Sequence, residues 1–299
     1  MSDLLSVVIP SRKEKFLHKT IKDLLEKATG DIEVIAVLDG YWLLPEEIID
    51  DKRVHYIHFS ESKGMRACIN AGVDIANGKY IMKTDGHCMF AHGFDEILKH
   101  DSHSDWVQIP RREALEPESW TMRTDQRPKY PIDYMFLTYP NDDKDWGGRE
   151  FSGREWRERN DSEEMKGRLI DDAMSFQGSC WFMEKSYYYF LELMDEESYG
   201  SFWKEAQEIG FKAWLSGGRV VRNKKTWYAH LYKGKKYGRG YRLDKSGNDT
   251  HRQNIQDWMY KKVWHKQKHN MAYLIKKFPD APMWTPERIE ECNYKIEPN

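Results

Sequence analysis

Leu4-Leu-Ser-Val-Val-Ile-Pro-Ser-Arg12 and Ile32-Glu-Val-Ile-Ala-Val-Leu-Asp-Gly40 decide the fold. Each is a short β-branched run that stops at a turn signal, the pattern of a strand buried on both faces. Between them Phe16, Leu17, Ile21, Leu24, Leu25 and Ala28 fall at helical spacing, and Gly30 is a natural stop. Strand, helix and strand in this order make a parallel crossover unit. The alternation continues outward. Val54 to Phe59 reads as a third strand, Met65 to Ala76 as a helix halted at Asn77-Gly78, and Tyr80 to Met82 as a short strand. Phe94 to Leu98 reads as helix and Trp106 to Ile109 as extended chain. The fold class is α/β, with a mostly parallel sheet.

Beyond residue 110 the pattern changes. Residues 111–171 are rich in charge, Trp, Pro and Gly, with weak periodicity. Trp120, Trp146 and Trp156 argue for a loop-rich insertion rather than a solvated linker. Phe176 to Met183 resumes a strand, Tyr187 to Met194 and Phe202 to Leu215 read as helices, and Arg219 to Arg222 and Thr226 to His230 as two short strands. A helix from about Thr250 to Lys266 follows, then Asn270 to Phe278, then a last helix capped by Thr285 with Pro286 in its first turn. The expected organisation is a catalytic domain over 1–232 and a helical segment over 233–299.

The 299 residues suffice for a large core, at about 150 residues per domain. No apolar run approaches the length of a membrane span, and the acidic, early-proline start does not read as a signal peptide. The four cysteines, Cys68, Cys88, Cys180 and Cys292, lie far apart, so a reducing cytoplasm is the expected setting. The net charge of −2 conceals a division: residues 231–299 carry +7 and the remainder −9. Tyr232, Tyr237, Tyr241, Trp258, Tyr260, Trp264, Tyr273 and Phe278 interleave with the bases of the tail. Such a tail suits an anionic partner, or forms a solvated helix surface around a small core.

In open parallel sheets ligands bind at the carboxyl ends of the strands. Ser11-Arg12, Asp39-Gly40 and Asp85-Gly86-His87 all sit at such ends. A carboxylate and an imidazole two residues apart, where a strand breaks into a turn, can converge on Mn²⁺ or a similar ion. An Asp beside Gly can also simply cap a turn.

These segments, with Lys63-Gly-Met-Arg-Ala-Cys-Ile-Asn-Ala-Gly72, Ala76-Asn-Gly-Lys-Tyr80 and Val7-Val-Ile-Pro-Ser-Arg12, resemble family 2 glycosyltransferases of the GT-A type. Asp85-Gly-His-Cys-Met-Phe-Ala-His-Gly-Phe94 is similar to polypeptide N-acetylgalactosaminyltransferases, which carry a DxH metal motif. The resemblance covers about 4–110 and 172–232. It implies a GT-A, Rossmann-like mixed sheet with helices on both faces, a nucleotide-sugar donor (a UDP-sugar expected) and Mn²⁺ or Mg²⁺. It places Pro10, Arg12, Asp39, Lys63, Gly64 and Arg66 at the nucleotide, and Asp85, His87 and His230 at the metal. Gly178 and Trp181 fall in its floor segment below the sugar. Glu205-Ala206 falls where inverting relatives carry Glu-Asp. Either Glu205 is the base, or the enzyme retains configuration without one. Without the resemblance, His230 reads as a structural histidine at a strand end, and Glu205 with Glu208 as a helix surface.

Tyr228 to Tyr241 is similar to compact glycosyltransferases of bacteriophages, some of which modify hydroxymethylated pyrimidines in DNA. A DNA acceptor held by Lys233, Lys235, Lys236, Arg239 and Arg242 is therefore one expectation, in a host cytoplasm. A glycan or protein acceptor is the alternative. A metal-dependent hydrolase using Asp85 and His87 and a non-catalytic nucleic-acid-binding protein are the rival classes.

Overall fold

β1 (Leu5–Ser11), α1 (Leu17–Lys27), β2 (Ile32–Asp39), β3 (Val54–Phe59), α2 (Met65–Ile75) and β4 (Tyr80–Thr84) follow the expected alternation in the computed structural model. The structure describes residues 3–123, 131–140, 151–241 and 248–297. β1 lies between β2 and β4, parallel to both, with Leu5 opposite Ile32 and Tyr80. Its side chains alternate into two apolar clusters. Leu5, Val7 and Ile9 pack with Leu17, Ile21 and Leu24 of α1, while Val8 packs with Cys68, Ile69 and Val73 of α2. Helices on both faces explain why β1 and β2 are buried almost throughout.

β5 (Cys88–Phe90), α3 (Phe94–His100), β6 (Trp106–Glu116) and β7 (Thr121–Met122) come next, then β8 (Met135–Leu137), β9 (Gly153–Glu155), α4 (Arg157–Asp161), α5 (Glu163–Gly167) and β10 (Ile170–Asp172). β11 (Cys180–Glu184), α6 (Lys185–Phe190), α7 (Glu196–Tyr199), α8 (Glu205–Leu215) and β12 (Arg219–His230) complete the sheet. Its order is β10-β12-β6-β11-β4-β1-β2-β3. β11 runs antiparallel between β4 and β6, so the sheet is mixed. β12 is one strand rather than two. Pairing with β6 slips between Asn223 and Trp227, and the Asn223 side chain accepts from the Lys225 amide at 3.0 Å. The polar break in the sequence is thus a bulge within a continuous strand.

The chain ends with α9 (Gly234–Tyr237), α10 (Asn248–Asp257), α11 (Met271–Lys276) and α12 (Pro286–Glu291). Thr285 caps α12 as expected. Three of the eight tail aromatics are core, while Tyr232 and Tyr260 are exposed. Trp258, Trp264 and Phe278 are buried in the cluster that also holds Val8, Val37 and Trp214. The Trp258 indole donates to Tyr199 at 3.0 Å, and the Trp284 indole to the Leu137 carbonyl at 2.7 Å. The 111–171 stretch joins the same cluster through Tyr134, Phe136, Phe151 and Trp156, while Trp146 lies outside the described residues.

α2 approaches β1 at Gly72, where a Cβ would lie 2.4 Å from Val8 Cγ1. Gly72→Ala should therefore destabilise the protein by about 1–3 kcal/mol through overpacking, seen as a lower urea midpoint at unchanged slope.

Candidate active site

The carboxyl ends of β1, β2 and β4 open into a cleft of about 990 Å³. Strand β4 ends at Thr84, and the amide of the next residue, Asp85, donates to the Ser179 carbonyl at 2.9 Å. β12 pairs with β5, His230 opposite Cys88, which brings the last residue of β12 to the turn that carries His87. His230 Nε2 lies 3.3 Å from Asp85 Oδ2 and 3.1 Å from His87 Nε2. One ligand atom from each of the three side chains falls within 4.8 Å of the others.

The donor set fits a divalent cation. Burial pushes the His230 imidazole down to about 4, against the pull of Asp85, so the ring is neutral with a lone pair to give. Burial would raise the Asp85 carboxyl, but the Lys83 ammonium and the two imidazoles override it and hold the group ionised. Two imidazoles and a carboxylate suit Mn²⁺ and related ions.

Beneath the metal cluster lies a residue that the sequence reading passed over. Lys83 is 1% exposed and donates to Asp85 Oδ1 at 2.8 Å, the Gly178 carbonyl at 2.7 Å and Glu205 Oε2 at 3.3 Å. Burial lowers its ammonium, and the two carboxylates more than reverse that, so it stays charged. Its signal was a lone charge inside the apolar strand Tyr80-Ile-Met-Lys-Thr84. Glu205 lines the cleft, yet both its oxygens are engaged. Oε1 accepts from the Trp181 indole at 2.7 Å and Oε2 from Lys83. Burial raises the Glu205 carboxyl against these two partners. Gly178 permits the approach, since a Cβ there would stand 2.6 Å from Glu205 Oε2.

Pro10, Arg12, Asp39, Lys63 and Gly64 line the same cleft. Asp39 accepts from the Lys63 amide at 2.6 Å, the Gly64 amide at 3.2 Å and Ser62 Oγ at 2.7 Å. It thus shapes the 62–64 turn from which α2 starts. Arg66 is not at the cleft surface. It is fully buried, paired with Glu208 and the Trp203 carbonyl and set over the Tyr199 ring at 4.9 Å. The expected nucleotide contact from Arg66 is corrected on this ground: α2 turns its side chain inward with Ile69 and Val73. Trp181 is likewise buried core, reaching the site only through Glu205.

After β12 the chain crosses the mouth of the cleft. Arg239 lies over the Phe202 ring at 5.3 Å, and Arg12 over Tyr241 at 4.3 Å. Lys233 was expected at an acceptor phosphate. Instead its ammonium pairs with Glu14 at 2.5 Å, inside the cleft. Lys236 is exposed beside Tyr237 and does not line the cleft. The Lys235 side chain and Arg242 lie outside what the structure describes.

The family described as Glycosyl transferase family 2 matches residues 6–190, more than half of the chain. The chain belongs to glycosyl transferase family 2. Its fold is shared with GalNAc-T7, whose crystal structure holds UDP, GalNAc and Mn²⁺. The TM-score is 0.65 at 14% identity, covering 97% of this chain and 54% of that one. This family 2 chain thus spans about half the length of that protein. No curated protein matches the sequence. The GT-A fold expected from the motifs is therefore the observed one.

Two outcomes follow from this geometry. Glu208→Ala should cost about 3–5 kcal/mol in chemical unfolding, because it strands the Arg66 guanidinium in the core. The second concerns pH. His230 is free to protonate near 6.5 when unfolded and only near 4 when folded. Its contribution is therefore complete above pH 6.5 and lost as pH falls toward 4, at ~1.4 kcal/mol per unit. In chelator-treated protein, His230→Gln should flatten that part of the stability–pH curve.

Proposed function

We propose that this protein is a metal-dependent glycosyltransferase that moves a sugar from a nucleoside-diphosphate donor, a UDP-sugar in the first instance, to an acceptor hydroxyl. The observation that carries this reading is the Asp85, His87 and His230 cluster inside the large cleft at the strand ends. Asp85, His87 and His230 would hold Mn²⁺ or Mg²⁺, which when bound supplies positive charge to a pyrophosphate leaving group. Asp39 holds the 62–64 turn, and Pro10 and Arg12 line the same cleft for the nucleotide. Lys83 keeps Asp85 ionised and directed at the imidazoles. Glu205, with both oxygens engaged, favours a supporting role beneath the donor over proton abstraction, and so favours chemistry without a carboxylate base.

For the acceptor, the expectation of a hydroxymethylated pyrimidine in DNA rests on the likeness of Tyr228 to Tyr241 to bacteriophage enzymes and on the basic tail, of which Arg239 lines the cleft and Lys236 is exposed outside it. Part of its base-stacking set is lost, because Trp258, Trp264 and Phe278 are buried, while Tyr232 and Tyr241 still line the cleft. That burial favours the competing reading, a glycan or protein hydroxyl. No helix among the described residues is long and apolar enough to cross a membrane, and the four buried free thiols accord with a reducing compartment.

The test is a panel of nucleotide sugars with Mn²⁺, read as donor turnover and, with hydroxymethylated or plain DNA, glycans or peptides present, as a mass increase of the acceptor. Mn²⁺-dependent turnover of one donor is expected. His87→Ala should reduce it by more than the ~10–100-fold typical of an outer-shell change. Full turnover in that variant with chelator present would remove the metal from the reading.

A further inference from the structure

Glu14 was not among the residues that the sequence singled out, yet it lines the cleft. It follows β1 in the loop Ser11-Arg-Lys-Glu14, where Lys13 adopts a left-handed backbone (φ 51°). A lysine there is strained, and strain of this kind persists where the surroundings fix the conformation. Ser11 Oγ is hydrogen-bonded to the Tyr41 hydroxyl, which ties the start of this loop to the chain after β2. The result aims the Glu14 carboxylate back across the sheet end. Its Oε2 lies 3.0 Å from His87 Nδ1 and 2.5 Å from Lys233 Nζ.

An ionised carboxylate only accepts, so His87 Nδ1 is the donor to Glu14, and in the neutral ring this makes Nε2 the lone-pair nitrogen toward Asp85 and His230. Gly86 makes this contact possible. A Cβ on Gly86 would stand 2.8 Å from Glu14 Cγ, although the backbone there needs no glycine for its own sake. The residue between the two ligands thus leaves room for a carboxylate from another loop. Lys233, just beyond His230, balances the charge and links the mouth segment to the same oxygen.

We propose that Glu14 is a positioning residue that fixes the tautomer and orientation of His87 for cation binding, with Gly86 as the gap it occupies and Lys233 as its counter-charge. The proposal rests on the reading that Asp85, His87 and His230 hold a divalent cation. Outer-shell partners of this kind typically change metal affinity 10–100-fold.

The test uses the full chain with UDP present. Mn²⁺ binding is measured by electron paramagnetic resonance, with pulsed spectra resolving the ¹⁴N couplings of bound imidazoles. Thermal unfolding of each variant is followed alongside. Glu14→Ala should raise the Mn²⁺ dissociation constant about 10- to 100-fold and remove one of two imidazole couplings. Glu14→Gln, which keeps an acceptor but no charge, should recover the second coupling in part. Gly86→Ala should weaken binding in the parent background and add nothing in the Glu14→Ala background, where the methyl group displaces no one. Parent-like affinity and two couplings in folded Glu14→Ala would overturn the proposal while leaving the cation site intact. Absence of Mn²⁺ binding in the unaltered protein would overturn the cation site itself, and the proposal with it.

Discussion

A single buried ammonium ties the site together. Lys83 draws the end of β4, the turn before β11 and the start of α8 onto one nitrogen, through Asp85, the Gly178 carbonyl and Glu205. An ion of this kind is tolerable in the interior only when every donor is paired. Three acceptors meet its three protons. Asp85, held in this way, gives Oδ1 to Lys83 and turns Oδ2 toward His87 and His230, which leaves that oxygen as the anionic donor of the cation-binding set.

The first strands and helices were legible because hydrophobic period and turn residues agreed at each boundary. Asp85 and His87 were legible because a polar triplet interrupted an apolar strand. Other parts were hidden for physical reasons. Glu14 lies in a loop whose direction depends on one left-handed residue, and no periodicity announces that. Arg66 follows a glycine turn, which suggests an exposed helix start. Yet Arg66, Ile69 and Val73 share the i, i+3, i+7 stripe, and that stripe is the buried one. The helical period contained the correction, and the presence of a charge obscured it.

The tail teaches a related lesson. Bases and aromatics alternate there, and composition alone suggested a surface for an anion. Burial separates the two classes. Trp258, Trp264 and Phe278 join the apolar cluster on one face of the sheet, while Lys261 pairs with Asp257 and Lys266 and Lys277 lie over the Phe190 and Tyr273 rings. Trp258, Trp264 and Phe278 therefore supply core volume rather than ligand contact, and among the described residues of the tail Lys233 and Arg239 are the cations that line the cleft.

The close approach at Gly178 has a consequence for how such a site can change over generations. Any side chain at 178 meets Glu205, and any shift of Glu205 releases both Trp181 and Lys83. Lys83 then loses a partner it requires, and Asp85 is disturbed in turn. Substitutions at these positions are epistatic: each is tolerated only in the company of others. Descent with modification can vary the mouth and the outer loops one residue at a time, whereas the floor must be inherited as a block.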